Sequence, residues 1–274
     1  MRIVTFRFNG KVQHGVRNGD LIQVYPDALS AVDLADRGAS LSAAEEIALA
    51  RVELLPPVPN PGKIICIGLN YRAHAIEGGN PIPDYPAVFM RCTTSLAAPG
   101  GGMTYPECSD KLDYEAELAV IIGKTARNVT AADALDYVAG YSCFNDGSVR
   151  DYQRKSTQWT MGKNFDRTGG FGPELVTPDE LPAGAAGLRL VSRLNGEVMQ
   201  DSNTADMIFD VATLIAILSE GMTLEPGDVI ATGTPSGVGY ARTPPVYMQP
   251  GDVTEIEIEG IGTLSNTVAK RVAA

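Results

Sequence analysis

The chain has 274 residues, 44% of them hydrophobic, which is ample for one large core or two smaller ones. Thirty-three acidic against 22 basic residues set the formal net charge at -11, which excludes nucleic acid or an anionic membrane as the main partner. No apolar run approaches the roughly 20 residues of a bilayer span, Arg2 and Arg7 interrupt the run a signal peptide would need, and the four cysteines form no CxxC pair; a soluble cytoplasmic protein with reduced thiols is expected.

The first 25 residues alternate through RIVTFRF, KVQHGVR and LIQVY, with the hairpin signals Asn9-Gly10 and Asn18-Gly19-Asp20 between them. This predicts an antiparallel meander, with His14 on its surface. A helix is expected from Ser30 to Arg37, stopped by Gly38, and a second from Ser42, where Glu45 completes a capping box. LLPPVPNPGK, residues 54–63, carries four prolines that continue neither element. It marks a boundary between a small N-terminal α+β subdomain, 1–58, and a catalytic domain, 59–274. Beyond it the pattern is mainly strands joined by Gly-Pro turns, with helices near 131–139, 147–155 and 207–220. PGDVI at 226 and PGDVT at 250 each feed a strand. The fold class expected is α+β, predominantly β.

LDYEAELAVIIGK, residues 112–124, places Asp113, Glu115 and Glu117 on one strand face that continues into Ala119 and Ile121. A face acidic at its start and apolar at its end points into a cavity leading to the core, where carboxylates need positive charge beside them. Glu255, Glu257 and Glu259 in TEIEIEG alternate in the same way, but Gly260 ends the run before that face turns apolar, and they read as a solvated strand face.

His74 lies in IGLNYRAHAIEGGNPIPDYP. With Tyr71 to Glu77 helical, His74 and Glu77 face the same way. A carboxylate beside an imidazole holds one tautomer, as a water-activating base requires; a surface pair on a mobile loop fits the spacing too. In FNDGSVRDYQRKSTQWTMGKNFD, residues 144–166, Asp146 ends an apolar run, and Arg150 and Gln153 project on its side of the following helix. Ordinary amphipathic polarity would arrange them so as well, and Lys163 suits either a buried ammonium or a loop lysine. DVIATGTPSGVG, 228–239, is a strand feeding a loop of small residues without the GxGxxG spacing. Walker, GxSxG and HExxH patterns are missing, which removes the signatures of nucleotide hydrolysis, serine-esterase chemistry and zincin proteolysis.

The order of GLNYRAHAIE, LDYEAELAVIIGK, FNDGSVRDYQ, WTMGKNFD, LNGEVMQ, LSEGMTLEPGDVIATGTPSGVG and PGDVTEIEIEGIGTLSN resembles the fumarylacetoacetate hydrolase family over roughly residues 60–270. The resemblance implies a mixed β-roll catalytic domain, a homodimer, and Mg2+ or Mn2+ held by Glu115, Glu117 and Asp146. It implies a water-activating His74–Glu77 pair on a lid, Lys163 stabilising developing charge, and Tyr71, Arg150, Gln153 and Thr234 at the substrate. The activity it implies is hydrolysis of a carbon-carbon bond in a small anionic 1,3-diketo acid, such as an acylpyruvate of aromatic catabolism. Oxaloacetate-type decarboxylation and 2-oxo-acid isomerisation use the same enolate chemistry. A cation-stabilised oligomeric binding module is the non-enzymatic alternative. Arg91-Cys92 and the GGFGP run before Glu174 depart from the pattern the resemblance leads one to expect, and both are expected to line the pocket.

Overall fold

A computed structural model of the chain describes residues 1–270. Strands Arg2–Phe8, Lys11–Asn18 and Leu21–Val24 pair antiparallel. At the first turn Asn9 and Gly10 adopt φ of 49° and 77°, the left-handed backbone a two-residue hairpin requires. Val4, Phe6, Ile22, Val24 and Ile47 bury their side chains together behind this meander. Arg2 lies opposite Val176, so the N-terminal strands continue the central sheet.

That sheet has 12 strands. Its main path runs Glu46–Ala48, Leu21–Val24, Lys11–Asn18, Arg2–Phe8, Gly169–Val176, Val138–Asp146, Ala116–Ile122, Val229–Ala231, Ile64–Gly68 and Ala87–Arg91. Strand Ala116–Ile122 is buried throughout. Leu118, Val120 and Ile122 meet Leu214 and Ile215 of helix Val211–Gly221 and Ile256 and Ile258 of a second, five-stranded sheet. Ala119 and Ile121 enter a second core with Leu34, Phe144 and Phe171. Coverage on both faces is why this stretch reads as an unbroken apolar run. The result is an α+β fold, predominantly β.

Several local expectations give way to tertiary pairing. Ser30 caps helix Ala31–Arg37 by accepting from the Asp33 N–H. The Ser42–Glu45 box opens no helix: Ala44 and Glu45 exchange backbone bonds with Val24, and Glu46–Ala48 becomes a strand, so an available sheet edge outweighs a local cap signal. Of the helix expected at 131–139, only a short 3-10 turn, Ala134–Tyr137, forms before strand Val138–Asp146 begins. The helix expected at 147–155 shrinks to Arg150–Gln153, because Ser148 and Val149 pair with Asp113 and Leu112. His14 is buried rather than superficial, with Nδ1 3.1 Å from Thr5 Oγ1. No helix of the described residues is long and apolar enough to cross a membrane.

Candidate active site

The three acids expected on one face separate into two groups. Strand Leu112–Asp113 ends at Tyr114, and pairing with the central sheet resumes at Ala116. In this break the Glu115 carbonyl accepts from the Asp146 N–H at 2.9 Å, which sets those residues opposite each other. Glu117 follows on the same face. Carboxylate oxygens of Glu115, Glu117 and Asp146 all lie within 4.8 Å of one another, and all three residues are buried. Asp113 turns away from them and accepts from Arg150 Nε at 2.8 Å, the Gly239 N–H at 2.8 Å and the Tyr240 N–H at 3.0 Å.

Buried cations surround the cluster. Lys163 Nζ sits 2.7 Å from Glu115 Oε2 and 2.5 Å from Asp146 Oδ2, and Arg150 Nη1 lies 2.6 Å from Glu115 Oε1. Arg91 Nη1 donates to Asp146 Oδ1 at 2.5 Å. Burial alone would raise the Glu115 carboxyl, but Lys163 and Arg150 outweigh it and bring it down to about 2. Among the described residues, the Glu117 carboxyl has only the Gly233 N–H as a hydrogen-bond partner, at 2.9 Å. Burial, then Asp146 and Glu115, push its carboxyl well above the usual range. The Lys163 ammonium is held above its ordinary value despite burial, because Asp146 and Glu115 face it.

Four carboxylates, counting Asp113, meet three permanent cations here, and Glu117 is the acid without one of its own. The donor set is all oxygen, with one carboxylate short of positive charge, which fits a hard divalent cation and not a thiolate- or imidazole-seeking metal.

A cavity of about 420 Å³ opens on the cluster. Its walls include His74, Glu115, Glu117, Arg150, Gln153, Lys163 and Thr234, seven of the ten residues expected at the site. Asp146 stands behind Lys163 as the third acid. Helix Arg72–Glu77 brings His74 Nδ1 to 3.3 Å from Glu77 Oε2. Gln153 Oε1 accepts from Arg150 Nη1 at 3.0 Å, and Thr234 Oγ1 accepts from Gln200 Nε2 at 2.8 Å. Tyr71 does not line this cavity: it is buried and borders another hollow with Asp206 and Met207, its hydroxyl has no hydrogen-bond partner among the described residues, and after burial the Glu117 charge acts on it most strongly.

The small-residue loop after Ala231 serves these carboxylates. Gly233 donates to Glu117, Gly237 to Glu77 Oε1 at 2.9 Å, and Gly239 to Asp113. Gly233 and Gly237 sit at φ of 102° and 101°, and a Cβ on them would come within 2.7 Å of Asn70 Cβ and closer still to the Met199 carbonyl, respectively. The loop's backbone N–H groups are thus spent on the chain's own carboxyl groups.

Sequence reasoning did not give Arg91 a role. Its guanidinium also reaches the Gly147 carbonyl, Thr168 Oγ1 and Ser95 Oγ, at 3.1, 2.9 and 3.1 Å. A Cβ on Gly169 would fall 2.8 to 3.0 Å from that guanidinium. Arg91 and Gly169 therefore pack together behind Asp146, and neither Arg91-Cys92 nor residues 169–173 line the cavity, contrary to expectation. Arg154, Trp159 and Tyr240 do line it and were likewise missed. The only signals were the four-residue step from Arg150 to Arg154 and Gly68, whose missing Cβ leaves room for the Trp159 ring.

Residues 63–269 match the family described as fumarylacetoacetate (FAA) hydrolase C-terminal. Oxaloacetate tautomerase YisK of Bacillus subtilis is 46% identical over 224 residues, 80% of this chain and 74% of that protein. The mitochondrial oxaloacetate tautomerase fahd2 of Xenopus laevis is 44% identical over 221 residues, 80% of this chain and 69% of its own. The solved structure of a fumarylacetoacetate hydrolase from psychrophilic Exiguobacterium antarcticum superposes with a TM-score of 0.87 at 36% identity, covering 99% of this chain and 100% of that one. With the match spanning the acid cluster, the cavity and most of both sheets, the chain belongs to the fumarylacetoacetate hydrolase family of enzymes.

Proposed function

We propose that the chain interconverts the keto and enol forms of a 2-oxo acid of the oxaloacetate type, an isomerase reaction, in place of the carbon-carbon hydrolysis expected from the sequence. The observation that carries this reading is a buried histidine, oriented by a carboxylate, opening onto the same cavity as an all-oxygen acid cluster. That arrangement is what moving a proton next to a carbonyl needs. Both relatives reported above at 46% and 44% identity are named oxaloacetate tautomerases, which favours proton transfer over bond cleavage.

Glu115, Glu117 and Asp146 would hold Mg2+ or Mn2+, which when bound supplies a Lewis acid for the 2-oxo group. Glu77, itself fixed by the Gly237 N–H, accepts from Nδ1 of His74 and leaves Nε2 to take the proton from the carbon next to the carbonyl. The C–H electron pair becomes the carbon–carbon double bond of an enolate and charge moves to the carbonyl oxygen; a proton from solvent on that oxygen completes the enol, and the His74 imidazolium returns its proton to solvent. Lys163 is the ammonium available to that oxygen. Arg150 Nη2, buried without a hydrogen-bond partner among the described residues, offers a donor to the substrate carboxylate, with Gln153 and Thr234 in the same cavity wall.

Hydrolysis of an acylpyruvate is the second reading, favoured by the same His74–Glu77 pair acting on water and by the hydrolase from Exiguobacterium. The test follows the ultraviolet band of enol-oxaloacetate with Mg2+, Mn2+ or chelator, alongside pyruvate release and acylpyruvate cleavage. Metal-dependent loss of the band without pyruvate, abolished in His74→Ala, is expected. Cleavage of an acylpyruvate with no acceleration of enol decay would overturn the proposal.

A further inference from the structure

Two arginines at the cavity differ sharply in how their charge is used. Arg150 is committed: Nε bonds Asp113, Nη1 bonds Gln153 and faces Glu115, and only Nη2 remains. Arg154 follows one helical turn later, about 6 Å along the axis. It is exposed, and no ion pair among the described residues involves its guanidinium, although the chain carries a net charge of -11. Like charges at this spacing repel on a helix. What holds them is Tyr240, whose ring has Arg150 Cζ and Arg154 Cζ each 4.5 Å from its centroid. Tyr240 is itself pinned by its N–H to Asp113. Arg154 is thereby kept at the cavity wall, charged and unspent, outward from the one free donor of Arg150.

We propose that Arg154, seated on Tyr240, receives a second carboxylate of the substrate, so that the site selects dicarboxylic over monocarboxylic 2-oxo acids. The inference rests on the isomerase reading only for the word substrate; the charge arrangement itself would select dicarboxylates whatever the chemistry. A short-chain diacid can place one carboxylate near Arg150 Nη2 and the other about a helical turn away, at Arg154. Stacking on an aromatic ring leaves the edge of a guanidinium free for bidentate pairing, which an ammonium cannot reproduce.

The test is calorimetric binding of two compounds that cannot enolise, malate and 2-hydroxybutanoate, which have the same chain length and differ by one carboxylate. Both are titrated into the Mg2+-supplemented full chain. Wild type is expected to prefer malate by about tenfold, the scale of one charge-assisted pair. Arg154→Met should reduce the preference to within about twofold by weakening malate alone, and Arg154→Lys should restore part of it. An unchanged ratio in Arg154→Met, equal weakening of both ligands, or no binding of either by wild type would each overturn the proposal. Enol-oxaloacetate decay measured on the same samples separates the two ideas. A responsive ratio without tautomerase activity removes the isomerase reading and keeps the dicarboxylate site, and activity with an unresponsive ratio does the reverse.

Discussion

Two strand segments of this protein carry acids at alternate positions, and they solve opposite problems. Along Val253–Ile258, Ile256 and Ile258 face the core, while Glu257 stays 45% exposed and meets Arg193 Nη1 at 2.6 Å on the surface. At Glu115 and Glu117 the same spacing is enclosed, and each charge there is matched by a buried cation, a backbone N–H or a raised carboxyl. Water stabilises the first set; the protein itself must stabilise the second. What separates them is the neighbour in the adjoining layer: Ala119 and Ile121 carry the acidic face into a second core, whereas Gly260 ends the other face at a turn.

The largest difference should come from deleting one cation in each place. Lys163→Met removes the buried partner of Glu115 and Asp146 and should cost about 3–5 kcal/mol, whereas Arg193→Met should cost under about 1 kcal/mol. Urea unfolding in the presence of chelator measures both. Equal losses would mean that the enclosed cluster is hydrated in solution and that the contrast drawn here fails.

The strongly periodic parts of the fold were legible in the sequence. The N-terminal meander, helix Val211–Gly221 with its Asp210 cap, and the doubly buried strand each follow from a local pattern. The Ser42 helix failed because its competitor was a sheet edge contributed by Val24, too far back in the chain for a local window to see. Within the site, Glu115, Glu117, Asp146, His74 and Lys163 could be found because chemically distinctive residues stand in a recognisable order. Asp113 was misplaced because period-two reasoning assumes an unbroken strand, and this one breaks at Tyr114. Arg91 was obscure for a different reason: its partners Asp146 and Thr168 are 55 and 77 residues away, and the cue was a glycine, Gly169, opposite it.

Arg91 gives the next, smaller effect. Its guanidinium holds one oxygen of Asp146 and leaves the other toward the cluster, a division of labour that the single compact ammonium of a lysine could not reproduce. Arg91→Lys should cost about 1–3 kcal/mol of stability. Under the proposed reading it should also weaken Mn2+ binding by about tenfold or more, because it loosens the support behind a ligand. Titration calorimetry with Mn2+ decides; unchanged affinity would make Arg91 a packing residue only.

The smallest effect tests the same rule where burial acts with little compensation. Burial lowers the His14 imidazole from its ordinary value of 6.5, with Asp33 opposing only in part. The folded chain therefore binds fewer protons at this site than the unfolded chain as pH falls through 6.5. The stability that a neutral His14 contributes is present above that pH and is lost as pH drops toward the folded-state value. One site cannot exceed about 1.4 kcal/mol per pH unit. His14→Gln keeps a hydrogen-bonding group near Thr5 but cannot titrate, so its urea midpoint should fall less than that of wild type between about pH 7 and about pH 5. Parallel curves for the two proteins would show that His14 is hydrated in solution, and that burial in the meander does not govern charge as it does at Glu117.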